Sequence, residues 1–327
     1  MDFYDKFKLL STFLENMYDT TKPYNKEIIE LIHKTWETPY ISVINDCVIK
    51  KFNNLECKPH TDGIGTKGIY HYQASTFREA VIDALAMNLN DIAFRRSIPY
   101  AINDHIFLPE DNHRVIHNII QALSIECIER NIAILDGETS IHNNMQGLEI
   151  SITMMGFNYR DKPNKCEIGD FLIGIESNGL HSNGFTKIRD LFQDEMKRDF
   201  VQPTYIYSDV VYKLDNEIGI NGMMHITGGA FTKLKNILHE SDIYINNRHK
   251  LNPQGIYYEI HDKGVSDEEM YKTFNCGIGF LFSIPESNVQ SCLNSIKDYK
   301  SDIIGQVVKG NNKIKIKSKF SHKIITI

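Results

Sequence analysis

Four short stretches hold the residues best suited to chemistry: Thr61-Asp62-Gly63-Ile64-Gly65-Thr66-Lys67, Gly179-Leu180-His181-Ser182-Asn183-Gly184, His225-Ile226-Thr227-Gly228-Gly229 and Thr273-Phe274-Asn275-Cys276-Gly277-Ile278-Gly279. Each sets glycines beside an acid, a base or a hydroxyl. Glycine admits positive φ and brings backbone N–H groups close to an anion, so this composition suits loops that meet phosphate. In the first stretch, Asp62 offers a carboxylate to Mg²⁺, and Lys67 with the Gly63 and Gly65 N–H groups offers a cradle for polyphosphate. The Gly-x-x-x-x-Gly-Lys-Ser/Thr pattern of a Walker loop is absent. A hairpin turn with solvated Asp62 and Lys67 is an equally good reading of this stretch alone.

Further candidates lie between these loops. Asp83, Asn90 and Asp91 interrupt an apolar helical pattern, and positions 83 and 90 share one face. They are candidate Mg²⁺ ligands, or else the solvated edge of an amphipathic helix. Asp136-Gly137-Glu138-Thr139 follows an apolar strand, and acids at the end of a strand commonly open a metal–nucleotide site. The loops at His181-Ser182-Asn183-Gly184 and Thr227-Gly228-Gly229 each precede a helical pattern, where unpaired N–H groups suit a phosphate. Plain capping by Ser182, Asn183 or Thr227 is the alternative. Capping needs no histidine, yet His181 and His225 stand in matching places.

These loops require a scaffold. Helical spacing predicts helices over Leu9–Met17, Ile28–Trp36, Thr76–Phe94, about Asn112–Asn131, from Asn183 or Gly184 to Phe192, within His225–Leu238 and over Glu286–Tyr299. Strands are expected within Tyr40–Phe52 and at Ala101–Leu108, Ile132–Leu135, Leu148–Phe157, Phe171–Ile175, Ile278–Ile284, Ile303–Val308 and Lys313–Ser318. The fold class is therefore α/β (α+β). With 327 residues, two domains are expected, 1–160 and 166–327, divided at polar Asp161–Lys165.

Composition narrows the partners. A net charge of −6, without a basic aromatic stripe, argues against nucleic acid. No apolar run approaches the length of a bilayer span. The N-terminus is too charged for a secretory signal, and the six cysteines lack C-x-x-C pairing. A cytoplasmic protein is expected.

Taken together, the four stretches with Met87-Asn88-Leu89-Asn90-Asp91, Gly137-Glu138-Thr139, Gly169–Gly174 and Met270-Tyr271-Lys272 closely resemble the aminoimidazole ribonucleotide synthetase (phosphoribosylformylglycinamidine cyclo-ligase) family, in order from about residue 60 to residue 308. The resemblance implies a two-domain fold whose N-terminal domains join in a shared β-barrel at a homodimer interface, with ATP and Mg²⁺ bound there. It implies phosphorylation of the formamide oxygen of formylglycinamidine ribonucleotide and ring closure to aminoimidazole ribonucleotide, with ADP and phosphate released. Asp62, Lys67, His181 and His225 would be catalytic. Asp62, Gly63, Gly65, Thr66, Lys67, Asn90, Asp91, Gly137, Glu138 and Thr139 would hold ATP, with Asp62, Asp91 and Glu138 on the metal. His181, Ser182, Asn183, Gly184, Thr227, Gly228, Gly229 and Asn275 would line a phosphorylated substrate.

The match departs from the family pattern mainly in the N-terminal half. No glycine precedes Gly63, Ala101-Ile102-Asn103-Asp104-His105-Ile106 replaces the family's Asp-Tyr-Tyr-Ala-Thr-Gly strand, and residues 1–22 are extra, with a helix expected there. Tyr205 stands where a basic residue is expected. A divergent member acting on another metabolite, or a silent nucleotide-binding relative, are the alternatives these departures raise.

Overall fold

The computed structural model describes residues 25–45, 47–53 and 57–327. The helix expected at Leu9–Met17 lies outside the described residues. The described residues begin with helix α1 (Asn25–His33) and a hairpin of β1 (Ile41–Ile44) and β2 (Cys47–Lys50). This hairpin occupies the glycine-free Tyr40–Phe52 stretch.

The N-terminal half is built on a four-stranded sheet in the order β3 (Cys57–Gly63), β6 (Glu149–Asn158), β4 (Ser97–Leu108), β5 (Ala133–Ile141). It is backed by α2 (Lys67–Ala74), α3 (Phe77–Phe94) and α4 (His113–Glu129). Alternation along β4 and β6 turns Ile102, Ile106, Leu108, Ile150, Ile152 and Met154 toward the helices, where they are fully buried. The long helix α3 has no proline or glycine and is buried along most of its length. It ends where Arg96 takes φ +56°. Asn112 caps α4 by accepting the Val115 N–H at 3.3 Å. β4 and β5 pair in parallel across α4, as a connection of that length requires.

The second half forms a seven-stranded sheet with helices on both faces. Its order is β13 (Ile324–Thr326), β12 (Ile314–Lys317), β9 (Ser241–Ile245), β11 (Ser301–Lys309), β7 (Phe171–Glu176), β10 (Ile278–Ile284), β8 (Gly222–His225). One face packs Leu172, Ile243, Ile245 and Ile314 against α5 (Phe185–Phe192), α7 (Gly255–Asp262), α8 (Asp267–Thr273) and the 3₁₀ turns of Ala230–Ile237. The other packs Ile173, Ile175, Phe280 and Phe282 against α6 (Ser208–Glu217) and α9 (Val289–Ser295). Ala93 of α3 belongs to this second cluster, so the N-terminal half docks beside β8 and α6.

Several expectations are revised. The Asp62 loop leads into α2 rather than a simple turn, because Lys67 opens a helix. Asp136–Thr139 lies inside β5 rather than beyond a strand end, since pairing with β4 continues to Ile141. The helix sought within His225–Leu238 is 3₁₀ over Ala230–Ile237, and Glu286–Tyr299 shortens to a 3₁₀ turn followed by α9. Among the described residues the N-terminal sheet is open, with β3 and β5 as its edges, and closes no barrel. Among the described residues no helix is long and apolar enough to cross a membrane. The described cysteines are free: Cys47 is exposed, while Cys127, Cys166, Cys276 and Cys292 are buried.

Candidate active site

The glycine loops converge where the two halves meet. The Asp62 loop faces the start of α5 through Thr66 and Thr186, whose hydroxyls are 3.3 Å apart. Opposite them, Asn183 donates to the carbonyl of Thr273, and Ser182 lies 3.3 Å from Thr204. A Cβ on Gly228 would meet only Asn183 Oδ1, at 3.6 Å, so the backbone there faces open space. Gly229 holds φ +76°, a left-handed conformation natural to glycine.

Two histidines lie beneath these loops. His225 ends β8, and its Nδ1 is 3.1 Å from Oδ1 of Asp91 on α3. Its Nε2 is 3.4 Å from the amide nitrogen of Asn90. This pattern puts the ring proton on Nδ1, facing the carboxylate. The second oxygen of Asp91 is 3.4 Å from Nε2 of His60, whose Nδ1 is 3.1 Å from Asn88 Oδ1. Burial pushes the Asp91 carboxyl up, but the His225 hydrogen bond and charge, with Lys233 and His60, outweigh it and hold it below its ordinary range.

His181 is buried 5.9 Å from His225, ring centre to ring centre. It holds φ +59°, unusual for a residue with a side chain. Burial, then the neighbouring His225 and Lys67, drive its pKa well below the ordinary histidine value, so the ring is neutral. Its Nδ1 has no hydrogen-bond partner among the described residues. The Tyr207 hydroxyl lies 3.5 Å from Nε2 and donates to the Glu176 carbonyl at 2.7 Å. Gly279 is required here, because a Cβ would collide with that hydroxyl.

Lys67 is placed differently from a solvated phosphate ligand. Its side chain is fully buried, with Nζ 2.7 Å from Asp83 Oδ2 and 2.6 Å from the Gln202 carbonyl. Asp83 also meets His71 at 2.8 Å and accepts from the Thr204 N–H at 2.8 Å and its hydroxyl at 2.5 Å. With both oxygens engaged, Asp83 has no room for a cation. Asn90 is likewise occupied: it accepts from the Tyr207 N–H at 2.6 Å and donates to the Tyr205 carbonyl at 2.9 Å. Asn275 is buried, accepts from Ser177, Tyr257 and the Gly277 N–H, and donates to the Gly179 carbonyl, bracing the His181 loop.

The acids expected on the metal are dispersed. Asp62 aligns with Ile152 and Asp104 on the helix-facing side of the sheet. Glu138 aligns with His105 and lies exposed on the opposite side. No three His, Cys, Asp or Glu side chains among the described residues gather into a cation cluster. The loop N–H groups are met by carboxylates: Gly63 donates to Asp62 at 2.8 Å and Gly65 to Glu149 at 3.1 Å. Burial raises the Glu149 pKa despite the backbone bonds it accepts from Gly65 and Ile64. Gly137 sits directly over Asp104, leaving no space for a Cβ, while Thr139 pairs with Ile106 within the sheet.

Sequence reading overlooked His60, Glu149 and Tyr207. His60 stands two residues before Asp62 on the same strand, so alternation alone puts both on one face. Tyr207 carries no comparable signal.

The chain matches the AIR synthase related protein family, its N-terminal domain over residues 45–158 and its C-terminal domain over residues 167–317. It is 31% identical over 297 residues to a phosphoribosylformylglycinamidine cyclo-ligase of Saccharolobus solfataricus, covering 88% of this chain and 90% of that protein. The cyclo-ligase of Pyrococcus horikoshii is 33% identical over 274 residues, covering 79% of this chain and 81% of that protein. Among solved structures, hydrogenase maturation protein HypE in complex with ATP shares the fold at a TM-score of 0.70 and 14% identity, covering 94% of this chain and 95% of that one. Thiamine monophosphate kinase of Aquifex aeolicus does so at 0.59 and 18%, covering 90% and 98%. The chain therefore belongs to the AIR synthase related protein family, with both of its domains in the family's order and the phosphoribosylformylglycinamidine cyclo-ligases among its relatives.

Proposed function

We propose that this protein is an ATP-dependent cyclo-ligase converting formylglycinamidine ribonucleotide to aminoimidazole ribonucleotide, with ADP and phosphate as the other products. The observation that carries the reading is the pair His181 and His225 beneath the Gly228–Gly229 loop, where backbone faces open space and the buried Nδ1 of His181 lacks a partner. An unpartnered buried polar atom beside an open glycine loop suits a polar ligand entering there.

ATP supplies the phosphoryl group that turns a poor leaving oxygen into phosphate. The Thr227–Gly229 backbone and the His181–Gly184 loop would bind the substrate phosphate. Neutral His181 would hold a hydrogen-bonding group of the substrate, and His225, oriented by Asp91, would hold or accept a proton as the ring closes. Mg²⁺ bound to nucleotide phosphates commonly needs only one or two protein carboxylates. Asp62, beside the Gly63–Gly65 loop, could supply one such carboxylate, while Asp136 and Glu138 lie on the opposite face of the sheet. Lys67 acts as a positioning residue, fixing the Gln202–Thr204 segment against α2 and α3.

A homodimer with a shared barrel fits the open sheet. Its side away from α3 and α4 carries exposed Thr61, Asn103, Asp136 and Glu138, and among the described residues Tyr40, Val43 and Phe52 cover one end of it. The test is a coupled assay with Mg·ATP and formylglycinamidine ribonucleotide. ADP and aminoimidazole ribonucleotide should rise in equal amounts. ADP release with another phosphorylated amide but not this one would move the protein to a different substrate.

A further inference from the structure

A second concave site lies on the C-terminal sheet, at the edge away from the N-terminal half. Tyr244, Asn246, Asn247, Arg248, His249, Asp302, Ile303 and Lys317 enclose about 470 Å³. Between the strands that line it and β8 stand β7 and β10, and no residue of the candidate active site lines the cavity.

Its charge is unusual for a chain of net charge −6. Among the described residues, neither the Arg248 guanidinium nor the Lys317 ammonium has an ion-pair or hydrogen-bond partner. The one acid, Asp302, is occupied by backbone: Oδ2 accepts from the Lys250 N–H at 2.8 Å and Oδ1 from the Ile303 N–H at 2.9 Å. Behind the wall a third cation, Lys319, donates to the His249 carbonyl at 2.6 Å and to Asn252 at 2.9 Å. His249 is 6% exposed and its Nδ1 has no partner. An orphaned nitrogen on a buried residue of the wall, in a cavity that two unpaired cations also line, marks a place suited to a polar anion.

We propose that this cavity is a binding site for a small phosphate ester, separate from the candidate active site. Arg248 and Lys317 supply the charge, and the guanidinium fork suits two phosphate oxygens. His249 selects phosphate over carboxylate. Burial, with Lys319 adding to it, pushes the imidazole pKa down to about 4, so the ring is neutral near pH 7. A phosphate, whose second pKa is about 6, still carries an O–H in part of its population that Nδ1 can accept. A carboxylate at that pH offers none. The volume lies within the usual range for small-ligand sites, roughly 300–1,000 Å³, and Tyr244 gives the remainder of an ester an aromatic wall.

Ribose 5-phosphate, followed by titration calorimetry, is the probe. Wild type should bind it, and Gly228→Val in the other site should leave this binding class in place. Arg248→Ala/Lys317→Ala should weaken the class at least about tenfold with an unchanged melting temperature. His249→Phe, which keeps the ring volume and removes the nitrogen, should weaken it several-fold and serves if the double variant misfolds. Acetate at the same concentration should not compete. Unchanged binding in the folded double variant or in His249→Phe, loss of all binding in Gly228→Val, or competition by acetate would each overturn the proposal.

Discussion

The Asp91 carboxylate on α3 and the His225 imidazole on β8 meet at 3.1 Å across the junction of the two halves. The pair joins a helix packed on the N-terminal sheet to a strand that leads into the Thr227–Gly229 loop. The carboxylate therefore fixes both a ring proton and the relative position of two domains.

Asp91→Asn should lower kcat about a hundredfold, within the range for loss of an oriented proton-transfer group, and leave KM nearly unchanged. Its acid profile should also change. The folded pKa of Asp91 lies below its ordinary value, so its contribution to stability is present above about pH 4 and is lost as pH falls through the folded value. Melting temperatures from pH 3 to 7 should fall less steeply at the acid end in Asp91→Asn than in wild type. Equal slopes would remove Asp91 from that role.

The Lys67–Asp83 pair predicts a second asymmetry. Both side chains are fully buried, burial lowers the Lys67 pKa, and Lys67 and His71 hold Asp83 ionised. Lys67→Met leaves a buried carboxylate with one cation fewer, and should cost roughly 3–5 kcal/mol. Lys67→Met/Asp83→Leu should cost less than the sum of its single variants, because no uncompensated charge remains. Denaturant unfolding of all three checks this, and strict additivity would mean that the ammonium and carboxylate do not act as a pair.

Asp104 should make the protein less stable as pH rises. Burial, reinforced by Asp136 and Glu138, raises its pKa to about 7, and its Oδ1 has no partner. A carboxyl whose folded pKa exceeds the unfolded value of about 4 loses stability for the fold across the interval between them. Asp104→Asn should therefore raise the melting temperature at pH 8 and change it little at pH 4. An equal gain at both values would point to packing rather than charge.

Gly228→Val separates ligand from fold. Only Asn183 Oδ1 lies near the added Cβ, so secondary structure and melting temperature should match wild type. The isopropyl group would occupy the space above the loop, and KM for the phosphorylated substrate should rise at least about tenfold. An unchanged KM in the folded variant would move the phosphate elsewhere.

Helix α3 was legible because Val81, Ala84, Leu85, Leu89 and Ile92 recur at helical spacing, and β10 because an apolar run is bounded by glycine and proline. The four glycine loops were legible for a local reason, their own composition. Residue partnerships were not. Lys67 beside two glycines resembles a solvated cation, and only tertiary contact with Asp83, sixteen positions on, and Gln202 shows it buried. The extent of β5 was hidden too, since Asp136, Gly137 and Glu138 have low strand propensity and are held extended by β4. Short helices such as α8 depend on packing and a Ser266 cap more than on their own periodicity.

In the proposed reaction a substrate amide oxygen is activated by phosphorylation before it leaves. Formylglycinamidine ribonucleotide carrying ¹⁸O in its formamide oxygen, turned over with Mg·ATP, tests it most directly. The label should appear in inorganic phosphate, one atom for each ring closed. Label released to water, or no turnover of this substrate by folded protein, would contradict it.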